Sequence, residues 1–133
     1  MILILTSEFY PDITGELERA VITELEKNNE SYEVIKVPGA VELPITAQRI
    51  LQKKCHDTVI ALGCVIQGET DHYEYVMRSC TDGLTRVSLD MSIPIIQGVL
   101  ACRNRAQAED RKTRKGQEFA QTALTMKKLF STS

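Results

Sequence analysis

The sequence predicts an α/β protein: a three-layer α/β/α sandwich built on a four-stranded parallel sheet. Four short runs of β-branched or aliphatic residues, Ile2–Thr6, Tyr32–Val37, Thr58–Cys64 and Ile93–Leu100, are spread along the chain. The last two are almost continuously apolar, as strands buried on both faces of a parallel sheet are. Stretches with helical spacing separate the runs, and alternation of β and α implies a sheet covered by helices on both sides. With 133 residues the chain reads as one domain, residues 1–133. A domain of this size buries about 65–70% of the surface its unfolded chain exposes, enough for a core without staples.

Each element has its own signal. Met1-Ile2-Leu3-Ile4-Leu5-Thr6 lacks the basic start and small-residue cleavage site of a signal peptide and reads as the first strand. Ile13, Leu17, Ala20, Val21 and Leu25 then recur at three and four residues, one face of a helix. Pro38-Gly39 marks a turn after the second strand, and Leu43, Ala47, Ile50 and Leu51 give the second helix. Tyr73, Val76, Met77, Cys80 and Leu84 give the third, with Thr70 or Asp71 as its cap. The tail from Arg105 to Phe130 is rich in Ala, Gln, Glu, Lys and Arg and reads as helix, with Gly116 as a candidate break.

Composition narrows the function. The net charge of −2 argues against a protein that holds nucleic acid by neutralising phosphates. No apolar run reaches the ~18 residues of a membrane span. Cys55, Cys64, Cys80 and Cys102 form no C-x-x-C pair, and their spacings of 9, 16 and 22 match no zinc framework. They read as reduced thiols of a cytoplasmic protein, more often core residues than catalytic ones. Nucleotide-binding glycine fingerprints and a Ser/His/Asp set with elbow spacing are both missing.

Ligands of such sheets bind beyond the carboxyl ends of the strands. After the first strand lies Ser7-Glu8-Phe9-Tyr10-Pro11-Asp12-Ile13-Thr14, where an aromatic can stack on a planar ring or pack on the helix start. After the second lies Val37-Pro38-Gly39-Ala40-Val41-Glu42-Leu43-Pro44. Glu42 falls there in the first turn of a helix, either as a residue favoured by the dipole or as an acceptor for ligand hydroxyls. After the third lies Gly63-Cys64-Val65-Ile66-Gln67-Gly68-Glu69-Thr70-Asp71-His72-Tyr73-Glu74-Tyr75-Val76. Gly68 permits close backbone approach, and free N–H groups at the helix start form an anion site. His72 stands beside it in the first turn as a proton acceptor. His56 precedes the third strand, at the wrong end of the sheet, and reads as a surface residue. Among Arg103, Arg105, Arg111, Lys112, Arg114 and Lys115, most of which form a solvated helix face, an arginine is available for a phosphate.

These segments, with Pro94-Ile95-Ile96-Gln97-Gly98-Val99-Leu100, Gln107-Ala108-Glu109-Asp110-Arg111 and Lys115-Gly116, resemble the lumazine synthase family along essentially the whole chain and in the right order. The resemblance implies a flavodoxin-like fold and a cofactor-independent, metal-free transferase of riboflavin biosynthesis. Such an enzyme condenses 5-amino-6-(D-ribitylamino)uracil with 3,4-dihydroxy-2-butanone 4-phosphate to 6,7-dimethyl-8-ribityllumazine, releasing phosphate and water. It implies that Phe9 stacks on the pyrimidine, that Ala40, Val41 and Glu42 line the ribityl chain, and that Cys64, Val65 and Ile66 edge the heterocycle. It further implies that Gly68, Glu69, Thr70 and Arg111 meet the phosphate, that Lys115 lies near the pyrimidine carbonyl, and that His72 moves protons. The implied assembly is a homo-oligomer, at least a pentamer, with sites between subunits and Gln97 and Arg111 supplied by the neighbour.

Several positions depart from the family pattern. Tyr10 replaces an asparagine, Val41 and Gln97 replace aromatics, and Gln67 replaces an arginine. The Arg111–Lys115 segment is shorter than usual, and the chain starts at what is the second strand of many members. These departures keep open a non-catalytic relative that binds flavin or lumazine or serves as a scaffold, and larger assemblies such as decamers or hollow shells.

Overall fold

The computed structural model describes residues 1–131. The elements are β1 (Ile2–Ser7), α1 (Pro11–Lys27), β2 (Tyr32–Val37), α2 (Leu43–Leu51), β3 (Thr58–Ile66), α3 (Tyr73–Met91), β4 (Ile95–Cys102) and α4 (Arg105–Ser131). The four strands form one parallel sheet in the order β2-β1-β3-β4. The chain leaves β1 toward β2 and then crosses back to β3 on β1's other side. The order therefore reverses between β1 and β3, and a crevice opens beyond their carboxyl ends.

The period of two along β1 feeds two cores. Ile2 and Ile4, with Ile60 and Leu62 of β3, pack under Ile13, Leu17, Val21 and Leu25 of α1 and under Ala108, Ala120 and Ala123 of α4. Leu3 and Leu5, with Val59 and Ala61, pack under Leu43, Ala47 and Leu51 of α2 and under Cys80, Leu84 and Val87 of α3. The three-layer α/β sandwich expected from the apolar runs is thus the fold, of flavodoxin-like order.

The differences from the sequence reading are local. β3 and β4 each run two residues past the apolar runs that announced them, pairing Val65 with Ala101 and Ile66 with Cys102. That extension carries the strands to the edge of the crevice. α4 is unbroken through Gly116. The glycine is there for packing, because a Cβ at this position would lie 2.7 Å from Ala20 Cβ and 2.8 Å from the Leu17 carbonyl oxygen on α1. His56 is buried, not a surface residue: its Nε2 lies 2.8 Å from Glu33 Oε1 while its neighbours Lys53, Lys54 and Asp57 take the solvent. At the same end of the sheet, burial raises the pKa of Asp57, but the Met1 ammonium at 3.2 Å and Lys127 at 3.6 Å outweigh it and hold the carboxyl below its usual value.

Candidate active site

Three strand-end loops converge on a cleft of about 220 Å³. Phe9 comes from the loop after β1, Gly39 to Glu42 from the segment after β2, and Cys64, Val65 and Thr70 from the end of β3 and its loop, with Val76 of α3 behind them. That volume lies under the ~300–1,000 Å³ of ordinary small-molecule sites.

The loops are held by backbone bonds. The Glu8 amide donates to the Val37 carbonyl at 2.8 Å, joining the exits of β1 and β2. Tyr10 adopts the left-handed region (φ 63°) and caps α1: its carbonyl accepts from the amides of Ile13 and Thr14, each at 3.0 Å, and from the Thr14 hydroxyl at 3.2 Å. Phe9 is 56% exposed, and its ring meets Tyr10 edge-to-face at a centroid distance of 4.8 Å. After β2, Ala40–Glu42 form a single 3-10 turn that leads into α2. A Cβ at Gly39 would stand 3.1 Å from Glu42 Oε1, so the glycine makes room for that carboxylate at the cleft wall.

The loop after β3 differs from the reading in one respect. Neither Thr70 nor Asp71 caps α3. His72 does, in the left-handed region (φ 56°, ψ 43°) and without a side-chain bond, its carbonyl accepting from the Val76 amide at 3.0 Å. The reason is the tight turn ahead of it. The Gly68 amide is used on the Arg103 carbonyl (3.2 Å), and those of Glu69 and Thr70 on the Ile66 carbonyl (3.1 and 2.8 Å). The free donors of the helix start are therefore those of its first turn, Tyr73 to Tyr75. The close approach that Gly68 allows is to the Arg103 carbonyl, 3.3 Å from where its Cβ would be. The Thr70 hydroxyl is buried at the cleft beside the Tyr10 phenol and meets no partner at full hydrogen-bond geometry. The His72 side chain is exposed at the rim.

The remaining candidates lie outside the cleft. Ile66 is fully buried against the α1 and α4 layer and offers only its backbone to the loop. Gln97 is exposed in the middle of edge strand β4, its Nε2 donating to Thr85 Oγ1 at 2.9 Å. Arg111 is half-buried beside the Cys102 thiol, and Lys115 pairs with Glu118 at 3.1 Å on α4. Arg105 carried no role in the sequence reading, yet it touches Asp12, Glu69 and the Tyr10 ring around this site. The only available signal was its position just beyond the end of β4.

Electrostatics set what the cleft can do. Burial pushes the Cys64 thiol up to about 12 and the Cys80 thiol up to about 11, and burial also raises Cys102 against the opposing pull of Arg111. A thiol needs its thiolate to act as a nucleophile, so Cys64 serves as an apolar wall. Accordingly, iodoacetamide at pH 8 should label only exposed Cys55 in the native protein, and all four cysteines once the chain is unfolded in guanidinium. Intact-mass measurement checks this, and rapid labelling of Cys64 would contradict it. Burial, the largest influence, also raises the Tyr10 phenol, the adjacent Thr70 hydroxyl opposing it and the Glu69 carboxylate adding to it. Among the described residues, no group of three or more His, Cys, Asp or Glu side chains could hold a metal ion, and no helix is long and apolar enough to cross a membrane.

Comparison with known proteins places this chain in a family. The family model described as 6,7-dimethyl-8-ribityllumazine synthase covers residues 1–131. The chain is 39% identical over 129 residues to the 6,7-dimethyl-8-ribityllumazine synthase of Paraburkholderia phymatum, covering 95% of this chain and 75% of that one. It is 43% identical over 129 residues to that of Bdellovibrio bacteriovorus, covering 92% and 71%. With that of Methylibium petroleiphilum it shares 40% over 126 residues, covering 92% and 79%.

Proposed function

The chain belongs to the 6,7-dimethyl-8-ribityllumazine synthase family and carries that activity, a step of riboflavin biosynthesis; we propose that it works in the strand-end cleft, on 5-amino-6-(D-ribitylamino)uracil and 3,4-dihydroxy-2-butanone 4-phosphate. One observation carries the placement: the segments that bear the family resemblance, at Phe9, Ala40–Glu42, Cys64–Val65 and Thr70, are distant in sequence and line one cleft.

The chemistry follows from these walls. The exposed ring of Phe9 stacks on the pyrimidine, against the apolar Cys64 and Val65. The ribityl chain runs along Ala40 and Val41, with the Glu42 carboxylate accepting from its hydroxyls. The phosphate lies toward the β3–α3 loop (Gly68, Glu69 and Thr70), where the Thr70 hydroxyl lines the cleft and the first-turn amides of α3 are free to donate. The amine of one substrate attacks the ketone of the other, water leaves to give an imine, phosphate is eliminated, and the second amine closes the ring on the remaining carbonyl with loss of a second water. Each step moves a proton, and His72 at the rim relays it. Phosphate leaves readily, so positioning two substrates side by side supplies much of the remaining acceleration.

The site is completed by a second copy of the chain, in at least a pentamer. Two observations support this: the cleft, at about 220 Å³, is smaller than ordinary small-molecule sites, and the side chains of Gln97, Arg111 and Lys115 lie outside the cleft of their own chain. A neighbour's Arg111 would then meet the phosphate. A cytoplasmic location accords with four unpaired cysteines.

Mixing the purified protein with both substrates tests the reading, with lumazine absorbance and fluorescence as the signal and light scattering as the measure of size. Product should appear well above the uncatalysed rate, from an assembly of five subunits or a multiple. Tight binding of the lumazine without turnover would mark a non-catalytic relative instead, and an active monomer would overturn the shared site.

A further inference from the structure

Arg105, the first residue of α4, touches three segments that build the cleft without lining it. Its Nη1 donates to Asp12 Oδ2 at 2.9 Å, in the first turn of α1. Its Nη2 lies 3.7 Å from Glu69 Oε1, in the loop after β3. Its Cζ stands 5.2 Å from the centre of the Tyr10 ring, within cation–π range. Tyr10 in turn meets the ring of Phe9 at 4.8 Å. A contact chain therefore runs from α4 through Arg105 and Tyr10 to the side chain proposed to stack on the pyrimidine. A branch runs through Glu69 to the loop that carries Thr70 and His72.

The geometry suits arginine in particular. A guanidinium has donors on several edges and a flat face, so it can address two carboxylates while lying near a ring. A lysine ammonium is a point charge on a flexible stem and satisfies fewer of these at once. The partners also need such a tie. Phe9 is more than half exposed and Glu69 is exposed, so their own burial does not fix them.

We propose that Arg105 is a positioning residue that ties the loop after β1 to the loop after β3 and so presets the cleft for both substrates. This rests on the synthase reading of the cleft. Arg105 touches no reacting atom, so its loss should fall on binding rather than on the chemical step. Losing one cation–π contact and its charge pairs should raise KM for both substrates about tenfold in Arg105→Leu, with kcat changed by less than about threefold. Arg105→Lys should recover part of that, and adding Arg105→Leu to Tyr10→Leu should cost less than the two separate effects combined, because they break one chain of contacts.

The test is kcat and KM for each substrate in the wild type and these variants, with fluorescence titration of 6,7-dimethyl-8-ribityllumazine as a second readout. Unchanged KM and unchanged lumazine affinity in Arg105→Leu overturn the proposal, and so does a fall in kcat alone. If Arg105→Leu fails to fold, Arg105→Gln and Asp12→Asn, which break the same ties at residues with no substrate contact, decide the question by the same two readouts. A wild type without turnover overturns the synthase reading instead. The titration then judges Arg105 by itself, and equal lumazine affinity across the variants refutes its role.

Discussion

Replacing Gly116 by valine should lower the stability of the protein by on the order of 3 kcal/mol, at the upper end of overpacking costs. In a chain of this size that is a fall in melting temperature of about 10 °C. In a solvent-facing helix the sign would be opposite, since removing a glycine from a helix interior ordinarily gains up to ~1 kcal/mol. Here the first carbon added would sit 2.7 Å from Ala20 Cβ and 2.8 Å from the Leu17 carbonyl oxygen. The second of these is α1 backbone and cannot rotate away, so α4 must lift off α1. The branched carbons of valine add to the displacement. Gly15 in α1 provides the control: a Cβ there meets nothing within 4 Å, so Gly15→Ala should be more stable by roughly 0.5–1 kcal/mol. Thermal unfolding at fixed protein concentration compares the three proteins. A Gly116→Val variant as stable as the wild type would mean that the helices do not sit this close. Activity should fall with stability, because α4 carries both Arg105 and Arg111.

Gly116 also marks the boundary of what the sequence reveals. A glycine in a helical stretch reads locally as a weak point, and only the neighbouring helix, about a hundred residues earlier in the chain, shows it to be a seat for α1. The parallel sheet was legible because a strand covered on both faces must be apolar at every position, and the nine residues of β3 are all buried. The strand ends were harder to place, since Val65 and Ile66 suit a strand and an apolar loop equally well. His56 looks like a surface residue in sequence because Lys53, Lys54 and Asp57 make its surroundings polar, while its ring turns inward to Glu33. The strand-end rule located the three loops of the cleft. The role of Arg105 depends on Asp12, 93 residues away, and no local pattern records that pairing.

Substituting His72 should slow turnover by about 100-fold without abolishing it, at the lower end of what general acid–base catalysis contributes. The ring is exposed at the rim, so water can take over part of the proton traffic. The gain from holding two substrates together survives the loss of the side chain. The choice of substitution matters, because His72 also caps α3 in a left-handed conformation. Alanine is strained there by roughly 1–2 kcal/mol, whereas asparagine adopts that region readily and cannot relay a proton at neutral pH. His72→Ala and His72→Asn should therefore show the same fall in kcat, with KM for both substrates within a few-fold of the wild type and a lower melting temperature only for alanine. If asparagine restores kcat, the histidine serves the backbone turn and the proton relay lies elsewhere. If both variants lose all turnover while still binding substrate, proton transfer carries far more of the rate than an exposed, water-accessible imidazole should, and the open site seen in one subunit must close around it during the reaction.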